Sequence, residues 1–383
     1  MTGLDRALDG ITVVSLEQAV AAPYCGLLLA DAGARIIKVE RPDGDFARGY
    51  DAGANGESTI FAWLNRGKQS VCLDLKDKAD LGLVKRMIND ADVLLSNLAP
   101  GALGRLGLDA ARLRETNKGL ITCAISGYGG NGDDAHKKAY DFLMQGEVGL
   151  SAVTGTADAP ARVGVPIADL STGLTAYAGI LRALIQRGRT GVGVDLDIAM
   201  FDVLADWMNM PLLTHRYGGG APERMGLKHT FIAPYGAFGC GDGGQVLLSV
   251  QSDREFAVFC QDVLQQPELA TDARFKTNPL RFENRMTLDR IVTDAFGDKT
   301  IAQVTTILDA ARIANARLNS VADLSEHPNL RNAATQFGGM PVSMADLPLG
   351  DGAEPLLDAP KLGADTAAIR AEFASGQKKG PAD

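Results

Sequence analysis

A chain of 383 residues with 38 basic and 47 acidic side chains, a formal charge of −9, is long enough for a sizeable core and two domains. The acidic balance speaks against general nucleic-acid binding, which needs clustered Lys and Arg to neutralise phosphates. No run approaches the roughly 20 apolar residues that span a bilayer, and Met1-Thr2-Gly3-Leu4-Asp5-Arg6 lacks a charged-then-apolar leader pattern, so a cytoplasmic protein with no membrane partner is expected.

Residues 10–16 form a short β-branched run that predicts the first strand. Residues 23–32 have the Ala/Leu content of a helix, with Gly33 where a C-cap would stand. Further strands are expected at 35–39, 70–75, 93–96 and 120–125, and a helix at 80–89 with Leu81, Val84 and Ile88 on one face. This alternation predicts an α/β fold with a largely parallel sheet, whose ligands bind beyond the carboxyl ends of the strands. Residues 126–168, rich in Gly, Ala and Asp, read as loops over a site. A long apolar helix is expected at 170–187, a turn at 188–193, a strand at 194–198 and a helix at 199–217. Gly218-Gly219-Gly220-Ala221-Pro222 then breaks the pattern, as a linker or as a mobile lid. The expected division is a large domain at 1–217, a linker and smaller α+β domain at 218–337, and a return to the large domain at 338–383. The small domain should hold a hairpin around 236–250 and helices near 254–264, 288–296 and 301–311, and the Pro- and Gly-rich tail one helix near 366–374.

No G-x-G-x-x-G follows the first strand, and the Gly-rich run Gly127-Tyr128-Gly129-Gly130-Asn131-Gly132 opens no obvious helix, so dinucleotide binding in its usual mode has weak support; with no Walker loop or G-x-S-x-G elbow, a nucleotide-dependent ligase is disfavoured. The five cysteines make no C-x-x-C pair and read as buried small hydrophobes. The four histidines are too dispersed for a zinc site. Asp169 precedes the long apolar helix, and two accounts fit it. As a plain N-cap it would accept orphan backbone N–H groups. As a reactive carboxylate it would use the partial positive charge of the same helix end. Tyr140-Asp141 reads either as a surface pair or as part of a pocket wall. Basic residues recur after strands and in loops (Lys38, Arg41, Lys68, Arg105, Lys137, Lys138); they are a solvated surface or, if the loops converge, a cationic rim for phosphates.

Several runs together resemble family III CoA-transferases, which share a fold with α-methylacyl-CoA racemases. They are Leu29-Ala30-Asp31-Ala32-Gly33-Ala34-Arg35, Leu64-Asn65-Arg66-Gly67-Lys68, Asn97-Leu98-Ala99-Pro100-Gly101-Ala102, Ala168-Asp169-Leu170-Ser171-Thr172-Gly173 and Ala359-Pro360-Lys361-Leu362-Gly363. The resemblance covers nearly the whole chain. It implies a Rossmann-like large domain, a small domain and an interlocked homodimer. It also implies Asp169 as the nucleophile toward acyl-CoA, and coenzyme A contacts from Ala19, Val20, Arg41, Lys68, Ala102, Arg105 and Lys138. Coenzyme A and carboxylic acids are then the partners, with no metal, NAD or flavin. The racemases place a His-Asp pair where this chain has Tyr140-Asp141. Racemisation needs two acid/base groups, and a tyrosine with an ordinary pKa of about 10 substitutes poorly for histidine. Tyr140 therefore favours a transferase over a racemase or epimerase, and the intact Asp169 over a non-catalytic CoA-binding protein. The run from Gly226 to Phe238 resembles the branch containing mesaconyl-CoA transferase. There His229 is a structural loop residue or a contact to the free carboxylate of the acyl group. That branch implies intramolecular CoA transfer on mesaconyl-CoA, with transfer between succinyl-CoA and a related acid as the near alternative.

Overall fold

The first strand, β1 (Thr12–Leu16), sends successive side chains into two separate cores. Val13 packs in one buried cluster with Ile36, Val93 and Cys123, and Val14 in another with Ile37, Val71 and Leu94. A parallel sheet needs both faces covered in this way. The structure, a computed structural model, describes residues 6–349 and 356–374. It divides into two units, one made of 1–150, 162–210 and 331–383, the other of 151–161 and 211–330.

In the first unit β1 is joined by β2 (Arg35–Glu40), β3 (Lys68–Cys72), β4 (Val93–Ser96), β5 (Ile121–Ser126) and β6 (Asp195–Ala199), all parallel, in the order β3-β2-β1-β4-β5-β6. The order reverses between β1 and β4, where doubly wound sheets open a crevice at their carboxyl ends. Helices Ala21–Asp31 and Ile167–Thr190 cover one face through Cys25, Leu29, Ala176 and Ile180. Helix Lys78–Asp90 covers the other through Leu83, Val84, Met87 and Ile88, joined by Ile369 and Phe373 from the late helix Thr366–Glu372. The tail also satisfies the open edge of β3: Ser70 N–H donates to Asp365 Oδ2 at 2.8 Å and Cys72 N–H to Thr366 Oγ1 at 3.0 Å. Covering an edge strand removes a site for stray pairing.

Glycine inside a helix costs about 1 kcal/mol relative to alanine, yet Gly173 sits within the 24-residue helix Ile167–Thr190. A Cβ there would stand 2.5 Å from Ala21 O, so the two helices touch backbone to backbone only because position 173 has no side chain. Gly173→Val is expected to destabilise the protein by roughly 1–3 kcal/mol through overpacking, read as a lower urea midpoint. An unchanged midpoint would mean that the helices separate freely.

The segment expected as loops contains short helices Asp141–Glu147 and Leu150–Val153. The helix expected over 199–217 is two, Met200–Trp207 and Asn209–Tyr217. The Gly218 N–H closes the second by donating to Thr214 O at 2.7 Å. In the second unit β7 (Tyr235–Gly239) and β8 (Gln245–Ser249) form the expected hairpin, and β9 (Ala314–Arg317), not foreseen, adds antiparallel to β8. Its core gathers Phe238, Phe256, Phe259, Phe275 and Phe296. The first unit also holds a hairpin not foreseen, β10 (Asn332–Phe337) and β11 (Met340–Ala345), whose Phe337 ring stacks on Phe61 at 5.7 Å. No helix among the described residues is long and apolar enough to cross a membrane.

Candidate active site

The chain leaves β1 through Glu17-Gln18-Ala19-Val20 and reverses at Ala19, whose φ of 65° is left-handed. Two contacts hold that strained turn. Ala19 N–H donates to Asp45 Oδ1 at 3.1 Å, and Gln18 exchanges a pair of hydrogen bonds with the Asn97 amide at the end of β4. Helix Ala21–Asp31 starts immediately afterwards with no side chain capping it. Pro23 has no N–H and the Tyr24 N–H donates to Val20 O, so the Ala21 and Ala22 N–H groups are the ones left for an anion.

Helix Ile167–Thr190 starts earlier than expected, with Pro166 in the capping position, so Asp169 lies in its first turn and is not its N-cap. The cap comes from elsewhere. Asp141 Oδ1 accepts the Ala168 N–H at 2.8 Å. Asp141 Oδ2 accepts Gln145 Nε2 at 2.8 Å, and Gln145 Oε1 accepts the Val163 N–H at 2.8 Å. Gly173, one turn beyond Asp169, is the point of backbone contact with Ala21. The Asp169 side chain is therefore placed by backbone on both sides. Its half-buried carboxylate accepts no hydrogen bond from the described residues. Burial, with the nearby Asp141 charge, pushes its carboxyl up to about 7.

Asp169 lines a cleft of about 790 Å³ in the first unit. Ala19, Val20, Lys138, Tyr140 and Asp141 line the same cleft. The carboxyl ends of four strands reach it, through Gln18, Asn97, Gly127 and Met200. Its walls include Phe46, Tyr50, Trp63 and Arg162, none of which the sequence singled out. Burial, with the charges of Asp45 and Asp169, pushes the Tyr50 hydroxyl up to about 12, so it remains a donor at neutral pH. Arg41 lines a neighbouring cleft of about 190 Å³, with apolar walls at Val39, Leu73 and Leu75. Gln18 and Leu98 border both. Ala102 and Arg105 begin and end a short helix beyond β4.

Lys68 stands in a different setting from the expected cationic rim. Its side chain is fully buried, and Nζ donates to Glu17 Oε1 at 2.6 Å, Pro23 O at 2.8 Å and Asn65 Oδ1 at 3.1 Å. Lys38, equally buried, pairs with Asp45 Oδ2 at 2.8 Å and Glu17 Oε1 at 3.4 Å. A hydrophobic strand pattern draws both lysines inward, and the two carboxylates make their burial tolerable. Burial pulls Lys68 down to about 8. Burial also opposes ionisation of Glu17, but Lys68 and Lys38 hold its carboxyl below the ordinary value.

His229 belongs to the second unit. Its Nδ1 accepts the Phe231 N–H at 3.0 Å, and its ring stacks on Tyr235 at 4.9 Å. Its carbonyl accepts from the Arg285 guanidinium. Burial and the Arg285 charge lower its pKa, which favours the neutral ring that this acceptor role needs. No group of three or more His, Cys, Asp or Glu able to hold a metal occurs among the described residues.

Residues 8–366 match the family described as CoA-transferase family III. The chain is 35% identical to acetyl-CoA:oxalate CoA-transferase of Acetobacter aceti, over 97% of each chain. It is 31% identical to succinyl-CoA:mesaconate CoA-transferase of Haloarcula hispanica, over 92% of this chain and 94% of that one. A solved structure of a CAIB/BAIF family protein from Brucella suis superposes with a TM-score of 0.82 at 33% identity, covering 96% of this chain and all of the other.

Proposed function

Since the chain belongs to CoA-transferase family III, we propose that Asp169 is the covalent carboxylate of a transferase moving CoA from an acyl-CoA to a small dicarboxylic acid. The observation carrying this is the Asp169 carboxylate itself. It is half-buried, accepts no hydrogen bond from the described residues and is set in a cleft at the carboxyl ends of the sheet. It attacks the thioester carbonyl, giving a mixed anhydride and CoA thiolate. The thiolate then attacks the Asp169 carbonyl, which forms an aspartyl-CoA thioester and frees the donor acid. The acceptor carboxylate attacks that thioester and the steps reverse, so the acyl energy is conserved. The uncapped helix start at Val20-Ala21 supplies N–H groups suited to an oxyanion or a CoA phosphate. The apolar walls around Phe46 and Trp63 limit water near the anhydride. The cleft at Arg41 suits a flat apolar group such as the nucleotide base, and Lys138, Ala102 and Arg105 are carried over as CoA contacts. The same resemblance gives an interlocked homodimer, which light scattering on the purified protein would test.

Of the two transfers left open by the sequence, the intermolecular one is favoured, because the relatives' names pair an acyl-CoA with a separate diacid, oxalate or mesaconate. The test is incubation with succinyl-CoA or acetyl-CoA and each diacid in deuterated buffer, followed by mass spectrometry. A new CoA ester of the added acid, without deuterium, is expected. Isomerisation of mesaconyl-CoA with no added acid would establish the intramolecular reaction instead. Deuterium at an α-carbon would point to proton abstraction and overturn the transferase mechanism.

A further inference from the structure

Exchange of CoA at Asp169 accounts for one carboxyl group of a diacid and leaves the other to be recognised. We infer that Arg162 receives that second carboxylate; the inference rests on the transferase reading above. Arg162 is the one arginine among the described residues lining the cleft. Its Nε donates to Val163 O at 3.2 Å, which fixes the base of the guanidinium fork. The outer nitrogens make no hydrogen bond with the described residues. The nearest carboxylate oxygen, Asp141 Oδ2, is 3.9 Å away, too far for one. Asp141 is meanwhile satisfied by Ala168 N–H and Gln145. Arg162 is thus oriented, and among the described residues its outer nitrogens are held only by the 3.9 Å ion pair with Asp141 and by the guanidinium's place over the Phe142 ring at 5.9 Å, which leaves their hydrogen-bonding capacity open.

The neighbouring lysine differs. Lys137 is closely paired with Asp134 at 2.9 Å, against 3.9 Å for Arg162 and Asp141. Helix Asp141–Glu147 also ties the two ends of the site together. Asp141 holds the backbone beside Asp169, and Gln145 holds the backbone beside Arg162. A diacid entering next to the Asp141 and Asp169 carboxylates brings further negative charge, and a guanidinium both offsets it and matches a carboxylate in two parallel hydrogen bonds. An aliphatic monoacid gains nothing from this group.

The test uses the full-length protein and Arg162→Gln. With acetyl-CoA as donor, KM is compared for succinate and for propionate as acceptors. The ratio of the two is expected to move by about tenfold or more against succinate, the scale of a lost charge-assisted pair. Equal effects on both acids, or an effect confined to KM for acetyl-CoA, would overturn the inference. Calorimetric titration of succinate into the wild-type and Arg162→Gln proteins reads the same contact without turnover, and equal affinities would also overturn it. The transferase reading is judged separately, by intact-mass detection of a CoA thioester on the wild-type protein after acetyl-CoA is added. Failure there with a selective succinate loss would leave the carboxylate site standing and remove the mechanism.

Discussion

Asp169→Ala is expected to keep binding acyl-CoA and to lose transfer by roughly 10⁴-fold or more, the scale seen when a covalent nucleophile is removed. No described side chain at the same helix end replaces it: Asp141 is engaged by Ala168 N–H and Gln145. Intact-mass analysis should show a CoA adduct on the wild type and none on the variant. Persistence of the adduct would place the nucleophile elsewhere. The carboxyl at about 7 adds a pH dependence. Attack requires the ionised form, so kcat/KM should rise with pH and level off above about 7. Stability runs the other way. Between the ordinary carboxyl value of 3.8 and about 7 the folded chain holds a proton that the unfolded chain has lost, so this group's contribution to stability falls as pH rises through that window. Asp169→Asn should therefore gain more in urea midpoint over wild type at pH 8 than at pH 4. Equal gains would show that the carboxyl titrates normally.

What the sequence revealed of this site follows from how local each signal is. The strands around Val13, Ile36 and Leu94 were legible because buried parallel strands are continuous apolar runs. Asp169 is legible as a helix-start carboxylate, but the local apolar pattern puts the start at 170 where the helix begins at Ile167. The group that caps Ala168 is Asp141, which lies 27 residues away and cannot be seen in a local pattern. Arg162 carries no local signal among small residues, since its significance comes from the Gln145–Val163 bond that fixes its loop. The β10–β11 hairpin did carry a local signal. Gly338-Gly339, both at positive φ, form its two-residue connection. Pro341 and the weak alternation around it disguised the flanking strands. The racemase comparison at Tyr140 needs only the residue type, and the side chain is 61% exposed on the cleft wall.

Lys68→Met is expected to destabilise the protein by about 3–5 kcal/mol, because it strips a buried carboxylate of its nearest cation. Among the described residues Glu17 would keep as its cation only Lys38, at the longer distance of 3.4 Å, and its Oε2 has no hydrogen-bond partner there. Lys38 is engaged with Asp45 at 2.8 Å and cannot turn fully to Glu17 without releasing the carboxylate that holds Ala19 N–H. The damage should therefore reach the turn at Ala19-Val20 and the cleft wall. Glu17→Leu combined with Lys68→Met removes one charge of each sign and leaves the Lys38–Asp45 pair intact. Replacing a buried ion pair by apolar groups is often neutral, so the double variant should recover most of the lost urea midpoint. That recovery is the measurement that separates two roles for Lys68. A lysine that contacted CoA from the cationic rim would behave differently: its substitution would raise KM for acyl-CoA, leave the midpoint nearly unchanged, and gain nothing from Glu17→Leu. The full burial of its ammonium group and its three short contacts favour the structural outcome.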